Sequence, residues 1–197
     1  MQTSRITRSP AYRVVSIAVL TAVTAVFTLL VRIPIAPTRG YINLGDVAIF
    51  FTAFTFGPVT ALLSGGLGTA IADLLAGYAQ WAPITLVIHG LQGLVAGLVV
   101  RGMIARPSRL PVAGDEEVDE AVERNPLPLL AVIIAGILGT VIMVGLYFLA
   151  AGIMYGFGPA AVEIPGNLIQ NAVGVIGGFL LSKTVLRAYP PVQDLYL

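Results

Sequence analysis

Apolar residues fill most of this chain in long runs, and short clusters of glycine, proline and polar residues separate the runs. An α-helix needs about 20 apolar residues to cross a bilayer. The pattern predicts six helices, which run from about Ala11 to Ile33, Leu44 to Phe56, Pro58 to Gly77, Pro83 to Ile104, Leu127 to Ile153 and Ala160 to Leu186. Gly57-Pro58 separates the second run from the third, because a helix continuing through this pair would be longer than a bilayer requires.

Composition supports a membrane protein. The 197 residues are 57% hydrophobic and 11% charged, whereas a soluble domain carries about 25% charged residues. We therefore predict an all-α fold, an integral membrane bundle of six transmembrane helices that forms a single domain over residues 1–197. The net charge of +1 provides no basic surface for nucleic acid.

Basic residues predict the orientation of the bundle. Six crossings place most of them on one side: Arg5, Arg8, Arg13, Arg101, Arg106, Arg109, Arg124, Lys183 and Arg187. Only Arg32 and Arg39 fall on the other side. Since cytoplasmic connections carry the excess of Lys and Arg, both termini are predicted to be cytoplasmic. The hydrophilic stretch 105–126 then becomes a cytoplasmic acidic loop, read either as a solvated loop or as a docking surface for a cytosolic partner.

Polar and aromatic residues concentrate on the predicted outer side. A small-ligand pocket combines aromatic faces with a few orienting polar groups, and buried polar groups in membranes commonly face a cavity. The candidate substrate-binding residues are Arg39, Tyr41, Asn43, Asp46, Asp73, Tyr78, Gln80, Trp81, His89, Gln92, Glu163, Asn167, Gln170 and Asn171.

Each group of candidates also has a purely structural interpretation. The aromatic residues fit an interfacial belt, and Asp46 fits stabilisation of a helix start. Buried amides fit hydrogen bonds that hold the helices together. Glu163 lies two residues before Pro165, which favours a helix break at this point.

Catalytic and metal chemistry find little support in the sequence. The chain has no cysteine and a single histidine, His89, which excludes thiolate-ligated and histidine-rich metal sites. We predict no cofactor and no catalytic residues, because Ser64 and His89 fall at different depths and form no pair. The alternatives kept open are a solitary channel or secondary transporter, an intramembrane enzyme of lower weight, and a purely structural membrane protein.

Four segments carry a resemblance to a known family. They read GYINLGD over residues 40–46, FGP over 56–58, GGLGTAIADLLAGY over 65–78 and EIPGNLIQN over 163–171. In this order and spacing they resemble the substrate-binding (S) components of energy-coupling factor (ECF) transporters. The resemblance covers nearly the whole chain, including its size and number of helices.

The resemblance implies a function and partners. The protein would bind a vitamin or related micronutrient with high affinity at the extracytoplasmic face of a prokaryotic cell membrane. It would then work with an ECF transmembrane coupling subunit and two cytosolic ATPases. Ala18, Ala22 and Ala25 would pack against the coupling subunit, and residues 38–43 would act as a lid. The substrate stays open among riboflavin, pyridoxine-like or thiamine-precursor rings and a queuosine precursor.

Overall fold

The described part of the chain, residues 10–104 and 127–189 of a computed structural model, folds into six helices and one β-hairpin. The elements are α1 (Pro10–Leu30), β1 (Arg32–Ile35), β2 (Gly40–Asn43), α2 (Gly45–Phe56), α3 (Pro58–Ala76), α4 (Ala82–Met103), α5 (Leu129–Tyr155) and α6 (Phe157–Ala188). The six predicted helices are all present, within a few residues of their expected bounds. The predicted acidic loop 105–126 lies outside the described residues.

Helix α2 differs from the other helices in length and position. Within the described ranges, five helices are long and apolar enough to cross a membrane, and α2 is the shorter apolar helix. Its 12 residues extend about 18 Å, against a hydrocarbon core of about 30 Å. It contacts α1, α3, α4 and α6, and all of its residues except Phe51 and Phe56 are buried. Asp46 and Thr55 of α2 have hydrogen-bond partners on other helices, whereas the buried Thr52 hydroxyl has none among the described residues.

The β-hairpin was not predicted. The apolar run predicts that α1 continues to Ile33, but the helix ends at Leu30 and is followed by two antiparallel strands. Pro34 explains the change, because it lacks an N–H group and biases the preceding residue toward an extended conformation. The strands pair Arg32 with Asn43 and Ile35 with Gly40. An all-α description of the chain is therefore incomplete.

Glycines with positive φ end several helices. Gly57 (φ 90°) connects α2 to α3, Gly77 (φ 85°) ends α3, and Gly156 (φ 94°) connects α5 to α6. This conformation suits glycine because it has no Cβ.

The predicted break near Glu163 is wrong, because α6 continues through Pro165.

The connections lie at two ends of the bundle. The hairpin, the α3–α4 turn and the α5–α6 junction share one end, which we name the hairpin end (residues 31–44, 77–81 and 156). The α2–α3 junction at Gly57 lies at the opposite end, because α2 and α3 run in opposite directions from it.

Small residues let the helices approach closely. A Cβ added to Gly93 of α4 would lie 2.7 Å from the carbonyl oxygen of Ala61 on α3. A Cβ added to Gly178 of α6 would lie 2.7 Å from Cβ of Phe50 on α2. The glycines of α4 and α6 therefore leave room for backbone and side chains of neighbouring helices, as small residues commonly do in membrane bundles.

Replacing Gly93 by Ala should destabilise the protein, because the new methyl group overlaps backbone that cannot swing aside. Overpacking typically costs about 1–3 kcal/mol, which thermal unfolding in detergent would detect as a lower Tm. Gly145→Ala is the matched control, because nothing lies within 4 Å of its added Cβ. An equal Tm for the two variants would contradict close α3–α4 packing.

Candidate functional site

A buried carboxylate lies at the start of α2. Asp46 is fully buried, and its Oδ1 accepts a hydrogen bond from Nε2 of Gln92 at 2.7 Å. Its Oδ2 accepts one from Nε2 of Gln170 at 2.5 Å. A buried charge is stable only when it is hydrogen-bonded. The two bonds to Asp46 meet this requirement and connect α2 to α4 and α6.

The amides around Asp46 extend this arrangement into a network. Nε2 of Gln92 lies 2.7 Å from Oδ1 of Asn171, and Oε1 of Gln92 lies 2.8 Å from Nδ1 of His89. Asn171 donates to the carbonyl oxygen of Asn167 and contacts Sδ of Met143. The network thus uses side chains from α2, α4, α5 and α6.

A small chamber lies above this network, toward the hairpin. Its volume is about 30 Å³, which leaves room for about two water molecules. Aromatic, hydroxyl, amide and carboxylate groups share its wall with a few apolar ones. The lining residues are Thr28, Ile35, Gly40, Tyr41, Asn43, Thr69, Asp73, Trp81, Thr85, His89, Met143, Tyr147, Glu163, Asn167 and Gln170.

The hairpin forms the roof of the chamber and is held by hydrogen bonds from α6 and from the α3–α4 turn. The Thr38 hydroxyl donates to Oε1 of Glu163 on α6. Nε1 of Trp81 donates to the carbonyl oxygen of Arg39 at 3.1 Å. At the base of the hairpin, the Asn43 backbone N–H donates to Oε1 of Gln170 at 2.7 Å.

Tyr41 provides a further connection between hairpin and helix. Its hydroxyl donates to Oδ1 of Asp73 on α3 at 2.6 Å. Burial, together with the negative charge of Asp73, raises the pKa of the Tyr41 phenol well above its ordinary value. Tyr41 therefore keeps its proton and remains a hydrogen-bond donor.

The aromatic residues at the hairpin end pack mainly on one another. The ring centroids of Trp81 lie 5.7 Å from those of Tyr147 and 6.0 Å from those of Tyr155. Tyr41 and Tyr78 lie 4.6 Å apart. Since Trp81 is only 3% exposed, it occupies the protein interior rather than an interfacial belt.

The structure places the fourteen candidate residues in three groups. Eight line the chamber: Tyr41, Asn43, Asp73, Trp81, His89, Glu163, Asn167 and Gln170. Asp46, Gln92 and Asn171 belong to the network below the chamber, and His89 and Gln170 are hydrogen-bonded to it. Tyr78 packs on Tyr41, while Arg39 and Gln80 are exposed.

Seven lining residues were not selected from the sequence: Thr28, Ile35, Gly40, Thr69, Thr85, Met143 and Tyr147. Threonine is common in apolar helices because its hydroxyl can bond the carbonyl one turn back, as Thr28 and Thr69 do. The sequence held one indication that Tyr147 lines a polar site, because it is a phenol within a helix that has no charged residue. Its hydroxyl donates to Thr85 at 2.9 Å.

Replacing Gln92 by Met should destabilise the protein. Methionine matches the shape of glutamine but leaves Asp46 without one of its two amide donors, and losing one hydrogen bond to a charged group costs about 1.5–3 kcal/mol. Unfolding in detergent measures the effect, with Gln80→Met as the control on an exposed glutamine. Equal stability of the two variants would rule out a structural role for the network.

Comparisons with known proteins identify the family. The sequence model of the family described as "ECF-type riboflavin transporter, S component" matches residues 10–187. A thiamine precursor transporter, HmpT, of Lactococcus lactis subsp. cremoris is 32% identical over 172 residues, which are 87% of this chain and 86% of that protein. A Pyrococcus woesei protein, described as an uncharacterized protein in a gap 3′ region, is 33% identical over 169 residues, covering 86% and 98% of the two chains.

The fold agrees with this identification. A solved S component of a bacterial ECF transporter superposes with a TM-score of 0.61 at 20% identity, covering 91% of this chain and 98% of the other. The family consists of transporter components, so the intramembrane-enzyme alternative falls away. The apolar helices fit a protein that crosses the membrane several times. The chain belongs to the S-component family of ECF transporters and is the substrate-binding component of such a transporter.

Proposed function

We propose that this protein binds a vitamin or related micronutrient at the hairpin end, on the extracytoplasmic side, for uptake into the cell. The observation that carries the proposal is the chamber beneath the hairpin, where aromatic rings and hydrogen-bonding groups meet within otherwise apolar helices. Such a combination is typical of small-molecule sites. The likeness to a thiamine precursor transporter and to a riboflavin transporter family supports a vitamin or vitamin precursor as substrate.

Binding requires the chamber to open. Its volume of about 30 Å³ is far below the 300–1,000 Å³ typical of ligand pockets. The roof is the part that can move, because the hairpin contacts the helices much less extensively than the helices contact one another, and individual hydrogen bonds hold it in place. Residues 38–43 act as the lid, and their contacts with Glu163 and Asp73 break when it lifts.

The charged residues support an orientation. Arg13, Arg101, Lys183 and Arg187 lie at the end opposite the hairpin, whereas Arg32 and Arg39 lie on the hairpin. By the excess of cytoplasmic basic residues, the hairpin end is extracytoplasmic and both termini are cytoplasmic. The chain then crosses the plasma membrane of a prokaryote six times, with α2 enclosed by the other helices.

Helix α1 is the surface for the ECF coupling subunit, which in turn works with two ATPases. Only 22% of its apolar stretch is buried, against 56% for α3. Ala18 and Ala22 are exposed on α1, one helical turn apart, and Ala25 is buried. Small residues on an uncovered helix allow a second helix to approach closely. The accessible part of the predicted contact is thus Ala18 and Ala22.

A thermal-stability screen of the purified protein against vitamins and their precursors tests substrate capture. A ligand at 100 times its Kd should add about 2.7 kcal/mol of stability, which appears as a higher Tm. Asn167→Ala, which alters the chamber wall, should abolish the increase. If no compound raises the Tm, the proposed function fails.

Uptake into liposomes containing the ECF coupling subunit and ATPases tests the partner surface. Ala22→Trp should retain ligand binding but lose uptake, because the indole keeps the partner helix at a distance. Ile137→Trp is the control, because Ile137 of α5 is 58% exposed on another part of the surface. Equal uptake by both variants contradicts the role of α1, and uptake without any ATPase supports a solitary transporter.

A further inference from the structure

The direction of the hydrogen bonds below the chamber follows from backbone groups at two ends of the network. At one end, the carbonyl oxygen of Asn167 can only accept a hydrogen bond, and it accepts one from Nδ2 of Asn171 at 3.0 Å. The other amide atom of Asn171, Oδ1, is therefore the acceptor that faces Gln92. Since an amide side chain has one accepting oxygen and one donating NH₂ group, Gln92 turns its NH₂ group to Asn171 and its oxygen to His89.

The other end of the network determines the state of Asp46. The backbone N–H of Asn43 can only donate, and Oε1 of Gln170 accepts it at 2.7 Å. The NH₂ group of Gln170 therefore faces one oxygen of Asp46, while the NH₂ group of Gln92 faces the other. A protonated carboxyl group would turn its O–H against one of these donors, so Asp46 is a carboxylate.

This arrangement fixes the position of a proton on His89. Its Nδ1 lies 2.8 Å from Oε1 of Gln92, and an amide oxygen only accepts, so Nδ1 carries hydrogen. Oδ1 of Asp46 is farther from Nδ1, at 3.6 Å, which is too long for a hydrogen bond. An imidazolium would favour the stronger, charge-assisted bond to the carboxylate, so the geometry is that of a neutral ring. With its proton on Nδ1, a neutral imidazole has an accepting Nε2.

The ring of His89 connects the network with the chamber. His89 is 1% exposed and lines the chamber wall. Its ring packs edge-on against Tyr147, with centroids 5.5 Å apart, which restricts the rotation of the imidazole. Because Nδ1 is turned toward Gln92, Nε2 is the ring nitrogen left for a molecule in the chamber.

We propose that Gln92 is a positioning residue that keeps the proton of His89 on Nδ1, so that Nε2 serves as a hydrogen-bond acceptor for the ligand. The ligand contact rests on the proposed function, since it concerns the same chamber. The protonation of His89 is independent of any ligand and is tested separately. Gln92 thus acts on the ligand through His89, although it does not line the chamber itself.

Nitrogen NMR of the full-length protein in detergent tests the protonation of His89. This residue is the single histidine of the chain, so isotope-labelled histidine, combined with an affinity tag that contains no histidine, reports on this ring alone. In mildly alkaline buffer, we expect Nδ1 to be protonated and Nε2 to have the signal of an unprotonated ring nitrogen. A histidine side chain in water favours the opposite tautomer, so the two states are readily distinguished.

Gln92→Met tests whether Gln92 holds the proton in place. Without Oε1, the proton should move at least in part to Nε2, because the tautomer is set by the bond that the other nitrogen makes. Gln170→Met is the matched control, because it also removes one amide donor from Asp46 but leaves the contact between Gln92 and His89 intact. Its spectrum should match that of the wild type. Thermal unfolding shows which variants fold, and the wild-type spectrum decides the protonation even if Gln92→Met does not fold.

Riboflavin, thiamine and pyridoxine are the probes for the ligand contact. A compound that raises the Tm should also shift the Nε2 signal toward lower frequency, because a donor then occupies the nitrogen lone pair. The Nδ1 signal should change little, since its bond to Gln92 is retained.

The possible results separate the protonation of His89 from substrate capture. A wild-type ring protonated on Nε2, or on both nitrogens, overturns the proposal. Equal spectra for the wild type and Gln92→Met overturn the positioning role of Gln92. A probe that raises the Tm but leaves the Nε2 signal unchanged overturns the ligand contact. If none of the three compounds raises the Tm, their proposed capture fails, while the wild-type spectrum still confirms or refutes the protonation of His89.

Discussion

The buried carboxylate of Asp46 is the group on which the rest of the structure depends. A charge removed from water is costly unless hydrogen bonds replace its hydration, and here Gln92 and Gln170 replace it from two other helices. Gly174 and Gly178 of α6 pack closely against Asp46 and Phe50 of α2. Close packing and the hydrogen bonds to Asp46 therefore act together to position α2 beneath the chamber.

Gln170 connects the floor of the chamber to its roof. Its Nε2 donates to Asp46, and its Oε1 accepts the backbone N–H of Asn43 at the base of the hairpin. One side chain thus uses both ends of its amide to hold two elements in register. A movement of the hairpin therefore displaces Gln170 and disturbs the hydrogen bonds around Asp46. Conversely, the hydrogen bonds around Asp46 favour one position of the hairpin.

Much of the fold could be predicted from the sequence because apolar length and proline or glycine breaks are strong signals in a membrane protein. The chamber was partly predictable, since amides and carboxylates such as Asp73 and Gln170 stand out in apolar helices. The hairpin was missed because Val31 and Ile33 continue the hydrophobic run of α1. Thr69 was missed because its hydroxyl is satisfied within its own helix, so a cavity wall and an ordinary helix look alike in sequence. Gln80 was selected for its neighbourhood, although its side chain points to solvent.

The single-residue junctions at Gly57 and Gly156 have a mechanical consequence. A one-residue connection cannot lengthen. The end of α2 therefore stays next to the start of α3, and the end of α5 stays next to the start of α6. The hairpin and the α3–α4 turn are longer links at the hairpin end. The proposed mouth of the chamber is therefore bordered by two links long enough to change shape and by the fixed junction at Gly156, so that any opening there takes place against a rigid edge.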